Sequence, residues 1–487
     1  MPLIKSLTLL PALCLIILIS PLQAEIRAIW VLPWSTNTPA AIDSFLQAAV
    51  AAQQTDVFIE VRYRSDAMYQ TNKVPNDFPN PEPPSHILKG NGFIPLDHAL
   101  RQGHKRNIRV HAWFVVFNAT PTDETLIRAN YIYQNHSDWF THESSGKRQQ
   151  NSGQLGYYVD PGVPEVQDHL LNVIGDLLSG YPELDGLHLD YVRYPGSSFG
   201  HHPVSLQRFR ADGNYSELTW NNWRVKQVTD FMERTSALVD SLAPNLVFSA
   251  AVIAEYDKAV RNYAQDWQDW LRRGIVDYVF PMAYQSNIGD FQRTLDELKK
   301  LDLDHRIVIG IRAWNEQSNS LAPDSQARSY TIMDVAARIE AIRSKGFAGI
   351  SLFSYDGLAG GNALAQLTQI SYPERFIAKM AARKYEPDNP AITYYAADIT
   401  VASDTRRYDL DFLVPRDGKW IWEVRNLQDI VFYQRSRFYL KGINADYWNG
   451  VLDDGSRLPA GTYLISVYRE DENFAYVIPV IFGELKG

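Results

Sequence analysis

The chain repeats one pattern from residue 26 to beyond residue 363: a short run of apolar and β-branched residues, then a stretch with helical periodicity. The pair occurs eight times in a row. Strands joined through helices run parallel, because each helix returns the chain to the end of the sheet at which the previous strand began. Eight such pairs close a (β/α)8 barrel, and an open doubly wound sheet rarely needs so many regular units. We therefore predict an α/β fold of the TIM barrel type.

The predicted strands share an apolar composition and are bounded by polar or turn-forming residues. They are Ile26–Pro33, Val57–Arg62, Ile108–Val116, the strand within Leu184–Pro195, Leu246–Val252, Val276–Met282, Arg306–Ile311 and Phe347–Ser354. In such barrels the active site lies at the carboxyl ends of the strands. The two long connections, residues 118–161 and 195–218, are therefore expected on that face.

From about Tyr385 the pattern changes to short strands separated by turns. The candidate strands are Ile392–Ala396, Tyr408–Leu413, Trp420–Val424, Thr462–Tyr468 and Ala475–Ile481. This spacing is typical of a small immunoglobulin-like β-sandwich. We predict that residues 25–384 form the catalytic barrel and that residues 385–487 form an all-β accessory domain.

The first 24 residues have the composition of a secretory signal peptide. Lys5 precedes an apolar run from Leu7 to Ile19, and a cleavage site is expected before Glu25. The run is short for a transmembrane helix, although a retained anchor is the main alternative. Cleavage removes Cys14, the only cysteine, so the mature chain can form neither a disulfide nor a thiolate metal site. We expect export to the periplasm or cell envelope, with no membrane span after cleavage.

Charge and aromatic content narrow the classes of partner. The net charge is −9 and becomes −10 once Lys5 is removed, and the chain has no basic block. These features argue against nucleic acid as the main partner. The 12 tryptophans and 27 tyrosines favour a surface that stacks on a flat, polar ligand. We predict a polysaccharide partner; the sequence leaves the oligomeric state open.

The segment Leu184–Pro195, LDGLHLDYVRYP, contains the strongest candidate for a catalytic residue. Its alternating pattern predicts a strand whose last inward residue is Asp190, and Pro195 ends the pairing. Arg193 and two tyrosines follow the carboxylate. Glycoside hydrolysis usually needs two carboxyl groups on either side of the bond that is cleaved. We predict that Asp190 is one of them.

Further candidates follow the other strands on the same face. Three residues are candidates for the partner carboxylate of Asp190, because each lies beyond a strand end. In order of preference they are Asp356, Glu255 and Glu316. The remaining candidates are polar or aromatic side chains that could position a sugar. These predicted substrate-binding residues are Arg62, Asp66, Tyr69, His111, Trp113, His188, Arg193, Tyr284 and Trp314.

Several of these residues could have a structural role instead of a role in binding or catalysis. Glu60 and Arg62 share parity, so they could form an ion pair inside the barrel, which is the favoured interpretation of Glu60. Trp113 could belong to the core, and a hydrogen-bonded core histidine is the favoured interpretation of His188. No His-x-His or Glu-x-x-His spacing supports a metal site. We therefore predict neither a metal nor a cofactor.

The chain resembles the glycosyl hydrolase-like 10 family of bacterial envelope proteins. The matching segments are Arg27–Trp30, Val61–Tyr69, Val110–Phe114, Asp160–Val166, Asp185–Pro195, Tyr263–Pro281 and Phe347–Leu358. They lie in order through the predicted barrel domain. The resemblance implies a (β/α)8 glycosidase-like fold that acts on an envelope polysaccharide, for some members peptidoglycan glycan stripped of its stem peptides.

The chain departs from the family pattern at two positions. The family often has Gln where this chain has Glu60, which weakens Glu60 as an essential acid, and many members carry a second acid where this chain has Tyr191. The segment DGLHLDYV is also similar to chitinase-type barrels, which would carry their catalytic glutamate at the position of Val192. A substrate-assisted mechanism through that position is therefore excluded unless another acid replaces it.

Three hypotheses about function follow. The first is an exported glycoside hydrolase that cleaves peptidoglycan glycan. The second is a glycan-binding protein that has lost its catalytic groups, a hypothesis supported by Val192 at the position of the chitinase glutamate and by the missing second acid. The third, least favoured, is a metal-dependent deacetylase that uses His111, His188 and Asp190.

Overall fold

The structure is a computed structural model of the chain. It describes residues 25–90, 92–152, 155–212, 217–314, 330–358, 363–371, 408–414, 418–426, 430–439, 442–448, 452, 461–468 and 475–482. The predicted signal peptide, the predicted strand Ile392–Ala396, the candidate Glu316 and the predicted domain boundary at 384/385 lie outside the described residues.

Eight parallel strands pair in chain order and close into a barrel. They are β1 (Ile26–Val31), β2 (Asp56–Arg62), β3 (Arg109–Val115), β4 (Gly186–Asp190), β5 (Val247–Ile253), β6 (Tyr278–Met282), β7 (Val308–Arg312) and β8 (Gly349–Phe353). β1 pairs with both β2 and β8, which closes the sheet. The predicted (β/α)8 barrel and all eight of its strands are confirmed.

Helices follow the strands, and several begin where the sequence marks a start. Proline stands at the first position of α2, α5 and α6, where its missing N–H has no helical partner to lose. The helices of the described residues are α1 (Pro39–Ala51), α2 (Pro95–His104), α3 (Glu124–Ala129), α4 (Tyr131–Asn135), α5 (Pro164–Gly180), α6 (Pro203–Ala211), α7 (Glu217–Leu242), α8 (Tyr256–Tyr263), α9 (Trp267–Arg272), α10 (Ile288–Lys299), α11 (Ile332–Ser344), α12 (Tyr355–Leu358) and α13 (Ala363–Ser371).

Aromatic side chains fill the inside of the barrel. Trp30 lies among Phe58, Phe280 and Phe353, with ring centroids 5.5–6.0 Å apart. At the lower end, β4 begins with Gly186, where an added Cβ would lie 2.0 Å from Nδ1 of His111. Glycine at that position therefore makes room for a histidine ring in the core.

The pairing of β2 with β3 contains a register shift. Glu60 lies opposite Trp113, but Arg62 lies opposite Phe114, so one extra residue is inserted between them. Such a bulge cancels the alternation of side chains along the strand. Glu60 consequently shares the inner face with Trp113, while the Arg62 guanidinium lies over the Phe114 ring at 5.1 Å.

Arg62 therefore does not pair with Glu60, and this prediction from parity was wrong. Its Nε and Nη2 atoms donate to the two oxygens of Glu82, at 2.7 and 2.6 Å, and both side chains are only 1% exposed. Burial alone would raise the pKa of Glu82. The charge of Arg62 and the hydrogen bonds from His169 and Arg62 outweigh burial and lower that pKa to about 2.

The long connections after β3 and β4 contact each other above the barrel. Asn118 pairs with Tyr158, and Phe140 with Val159, within the β3 connection. Glu143 pairs with Phe199 of the β4 connection. These isolated bridges join the two loops into one wall on the carboxyl-end face, where both were expected.

The chain separates into two compact units, with a boundary at about residue 361. In the second unit, β10 (Gly418–Asn426), β11 (Val431–Tyr439), β13 (Gly461–Tyr468) and β14 (Ala475–Phe482) form an antiparallel sheet in the order β11-β10-β13-β14. β9 (Tyr408–Val414) pairs with β12 (Gly442–Trp448). Four of the five predicted strands are confirmed, and β11 and β12 were missed. None of the helices in the described residues is long and apolar enough to cross a membrane.

We expect the substitution Arg62→Met to lower the free energy of unfolding by about 3–5 kcal/mol, because it leaves the Glu82 carboxylate buried without its main partner. Urea unfolding measures this loss. The pair contributes fully above pH 4.5, the ordinary pKa of a glutamate, and its contribution disappears as the pH falls toward 2. The difference between the two proteins should therefore narrow over that range.

The control is Arg261→Met, which breaks an ion pair with Asp257 whose side chains are 75% and 80% exposed. This change should cost at most about 1 kcal/mol, since water screens the pair. Equal losses from the two substitutions would contradict a special role for the buried pair.

Candidate active site

Carboxylates from three strand ends meet at the carboxyl-end face of the barrel. Glu60 lies near the end of β2, and Asp190 is the last residue of β4. Asp66 belongs to the loop after β2, and Asp356 lies in the first turn of α12, after β8. The negative charges of Asp190, Asp66 and Asp356 all act on Glu60. These four residues define what we call the acidic cluster.

Glu60 is the most strongly perturbed member of the acidic cluster. It is 2% exposed, and burial raises its pKa to about 8. The positive charge of Arg64, whose Nη1 lies 3.5 Å from Oε1, opposes this shift, and the neighbouring carboxylates add to it. A carboxyl group with this pKa carries a proton at neutral pH and can donate it.

Asp190 is held in a polar environment. It is 7% exposed, and its Oδ1 accepts hydrogen bonds from the Tyr191 backbone N–H at 2.6 Å and from Arg193 at 3.5 Å. Tyr191 has a φ of +53°, a left-handed conformation that turns the chain immediately after the strand. The carboxylate is therefore oriented by a backbone donor and by a nearby guanidinium.

Two guanidinium groups and three phenol rings surround the carboxylates. Arg64 lies 5.3 Å and Arg193 lies 4.5 Å from the centre of the Tyr191 ring. Burial raises the pKa of both Tyr158 and Tyr284, and the charge of Asp190 adds to each shift. These two phenols therefore keep their protons and can donate hydrogen bonds to a sugar.

The two predicted partner carboxylates occupy different positions. Asp356 accepts from the Leu32 N–H at 3.1 Å and from the Ser35 hydroxyl at 2.6 Å, which fixes it at the edge of the acidic cluster. Glu255 is exposed and accepts from Gln285 at 2.9 Å.

Among the predicted binding residues, Arg193, Tyr284 and Asp66 lie at the acidic cluster. Tyr284 stacks on Phe353 at 5.7 Å. Trp314 lies beside Arg312, whose guanidinium is 5.3 Å from the ring centre.

Two of the predicted binding residues point away from the cluster. Arg62 crosses to the outer face through the bulge described above. Tyr69 is 2% exposed; its hydroxyl donates to the Val173 carbonyl of α5 and accepts from Asn80. Both side chains support the loop after β2 from beneath, and neither is placed to touch a sugar at the cluster.

His111, His188 and Trp113 lie inside the barrel. His188 is fully buried, bonds Ser249 at 2.9 Å and stacks on Phe58 at 4.2 Å. Burial lowers its pKa well below the ordinary value, so the ring is neutral. His111 bonds Asp56 at the lower end of β2, at 2.7 Å. Trp113 packs in the apolar cluster with Trp30 and Phe58.

The deacetylase hypothesis requires His111 and His188 as metal ligands, and their positions do not fit it. Both rings are buried in the core of the barrel, where His111 bonds Asp56 and His188 bonds Ser249. Within the described residues, no group of three or more His, Cys, Asp or Glu side chains could hold a metal ion.

The structure also brings to the acidic cluster several residues that were not predicted from the sequence to act there. Glu60 was predicted to pair with Arg62, whereas the arginine beside it is Arg64, and no role was predicted for Tyr63, Arg64 or Tyr158. Both arginines are visible in the sequence RYRSD at the end of β2, but the alternation of side chains predicted that Arg62, and not Arg64, lies beside Glu60. A bulge cannot be read from that parity, which is why the wrong arginine was chosen.

Several known proteins are similar to this chain in sequence. Glycosyl hydrolase DigH of Escherichia coli K12 is 28% identical over 224 residues, which cover 40% of this chain and 46% of DigH. Glycosyl hydrolase YngK of Bacillus subtilis is 23% identical over 347 residues, 63% of this chain and 64% of YngK. The chain thus spans about half to two thirds of the length of these relatives.

The glycoside hydrolase domain of PgaB (BpsB) from Bordetella bronchiseptica superposes with a TM-score of 0.56 and 12% identity, covering 71% of this chain and 99% of that domain. At this identity the likeness shows the fold alone.

The profile of the glycosyl hydrolase-like 10 family matches residues 25–325. This range contains β1 to β7 and, of the acidic cluster, Glu60, Asp66 and Asp190. The match extends over more than half of the chain, and it supports a glycosidase-type function. The protein therefore belongs to the glycosyl hydrolase-like 10 family.

Proposed function

We propose that this protein is a glycoside hydrolase that cleaves an envelope polysaccharide, namely peptidoglycan glycan strands without stem peptides. The observation that carries the enzymatic part is the contrast between two neighbouring carboxyl groups. Glu60 keeps its proton because it is buried among other acids. Asp190 accepts hydrogen bonds from Tyr191 and Arg193. Two carboxyl groups in such different environments can divide the roles of acid and base.

In this mechanism Glu60 donates its proton to the glycosidic oxygen as the bond to the anomeric carbon breaks. Asp190 stabilises the positive charge that develops on the sugar, either by attacking the anomeric carbon or by removing a proton from the attacking water. Tyr158, Tyr284 and Arg193 surround Asp190 and would hold the sugar hydroxyls.

The substrate and the location rest on the sequence. The family resemblance suggests peptidoglycan glycan, and the apolar segment before Glu25 suggests export to the periplasm or envelope. We further propose that residues 385–487 form an immunoglobulin-like sandwich that docks or spaces the barrel. Two separate antiparallel sheets support this: one contains β11, β10, β13 and β14, and the other contains β9 and β12.

A glycan-binding protein without activity is the second candidate. It is favoured by Val192, which occupies the position of the chitinase glutamate and is completely buried. A chain of that kind would hold the strands through the same arginines and tyrosines but would not cleave them.

We expect Glu60→Gln to reduce kcat/KM by about 10²–10⁴-fold, because the amide cannot supply the proton. In the unsubstituted enzyme kcat/KM should fall above pH 8, where Glu60 loses its proton. Hydrolysis assays across pH measure both effects.

Glu60→Gln should at the same time stabilise the fold. The pKa of Glu60 is higher in the folded than in the unfolded chain, so the free energy of unfolding falls as the pH rises from 4.5 to 8. Removing this titration should add on the order of 3 kcal/mol to the free energy of unfolding at pH 7. A variant that is both inactive and less stable would point to a structural role instead.

We expect Asp190→Asn to abolish fragments from peptide-free glycan strands, as detected by mass spectrometry of the products. The matched control is Asp257→Asn, an exposed carboxylate paired with Arg261, which should retain full activity. Chelators should not affect turnover. If the wild-type protein binds the strands without cleaving them, it is a glycan-binding protein and not a hydrolase of this substrate.

A further inference from the structure

We propose that the rim beside β1 and β2 forms a separate sugar-binding subsite, built from Trp34, Tyr63, Asp66 and His86. We call it the β2-side subsite. It would take a pyranose ring of the glycan, next to the ring whose bond is cleaved. The inference rests on the proposed function, since it extends the cleft around the acidic cluster.

An exposed tryptophan forms the platform of the β2-side subsite. Trp34 is 49% exposed, although large aromatic side chains are usually more buried. Its edge meets the Tyr63 ring at 5.6 Å, with an angle of 72° between the planes. Tyr63 in turn packs against an apolar cluster of Met68, Ile87 and Leu88. An indole supported in this way offers a flat face for the C–H groups of a sugar.

The backbone of Trp34 is tied directly to the acidic cluster. Trp34 lies in the 3₁₀ turn Pro33–Ser35, and the Ser35 hydroxyl donates to Asp356 at 2.6 Å. The same carboxylate accepts from the Leu32 N–H. A ring stacked on Trp34 therefore lies next to the catalytic groups, at a position fixed by two hydrogen bonds on either side of the turn.

Asp66 supplies the polar group of the β2-side subsite. It is 9% exposed. Its Oδ2 lies 3.3 Å from Nδ1 of His86, but within the described part of the chain no donor reaches its buried Oδ1. A buried acceptor without a partner costs about 1–3 kcal/mol. That oxygen is shielded from solvent, so a sugar hydroxyl or acetamido N–H could donate to the exposed part of the carboxylate beside His86.

The charges around the β2-side subsite restrict what it can bind. The carboxylates of Asp66, Glu60 and Asp356 lie close enough that Glu60 responds to the other two. Arg64 lies 4.8 Å from the Tyr63 ring and 3.5 Å from Glu60, so its guanidinium faces the acidic cluster. An acceptor-rich rim with an aromatic face suits a neutral sugar and repels phosphate or carboxylate groups.

Binding tests this proposal without depending on catalysis. In a Glu60→Gln background, peptide-free glycan strands fractionated by length are titrated by isothermal calorimetry. Trp34→Ala should weaken the binding of long strands by about tenfold or more. The shortest fragments should be affected less, because they can bind at the acidic cluster alone. Trp34→Phe should restore part of the affinity.

The control is Val50→Ala, an exposed apolar side chain near the carboxyl end of α1, which should leave binding unchanged. Thermal unfolding checks that each variant is folded. Unchanged affinity of Trp34→Ala for long strands would overturn the β2-side subsite while leaving the proposed hydrolase intact. If the background protein binds no strands of any length, the proposed substrate is wrong, and the subsite for it falls as well.

Discussion

The extra residue in β2, between Glu60 and Arg62, separates two side chains that regular alternation would place together. Glu60 turns into the barrel opposite Trp113, and Arg62 turns outward to Glu82. If the strand were regular, Glu60 and Arg62 would lie on the same face of the sheet, as the sequence pattern predicted. The bulge therefore accounts for both the buried ion pair of Arg62 and the position of Glu60 in the acidic cluster, and the proposed acid catalysis depends on this local departure from strand geometry.

The Arg62–Glu82 pair also holds the loop that forms one side of the cleft. Arg62 donates to the carbonyls of Val115 and Val116 at the end of β3, and to Ser65. Further along the same loop, Asn80 bonds Tyr69 and Asp176. Tyr63, Arg64 and Asp66 are consequently presented by a segment that is fixed at several points. A site fixed in this way loses little free energy to reorganisation when a ligand arrives.

Sequence patterns predicted the features that depend on periodicity. The eight strands, the position of Asp190 at the end of β4 and four of the later strands follow from runs of apolar residues and their parity. Parity places a side chain inside the barrel but does not show whether a ligand can reach it, so His111 and Trp113 were predicted to bind substrate although both are buried. β11 was missed because its sequence, VFYQRSRFY, alternates weakly and is largely exposed. Glu60 and Arg62 were misplaced because one inserted residue reverses parity.

The two departures from the family pattern lie against the same guanidinium. Where the family often has Gln, this chain has Glu60, and where many members have a second acid after the motif aspartate, it has Tyr191. Arg64 contacts both, with its Nη1 3.5 Å from Glu60 and its guanidinium 5.3 Å from the Tyr191 ring centre. A carboxyl group on either side of Arg64 would face the same positive charge and the same neighbour, Asp190. In this chain the Tyr191 ring lies within cation–π distance of both Arg64 and Arg193, so an aromatic contact with two guanidinium groups stands where those members have an acid.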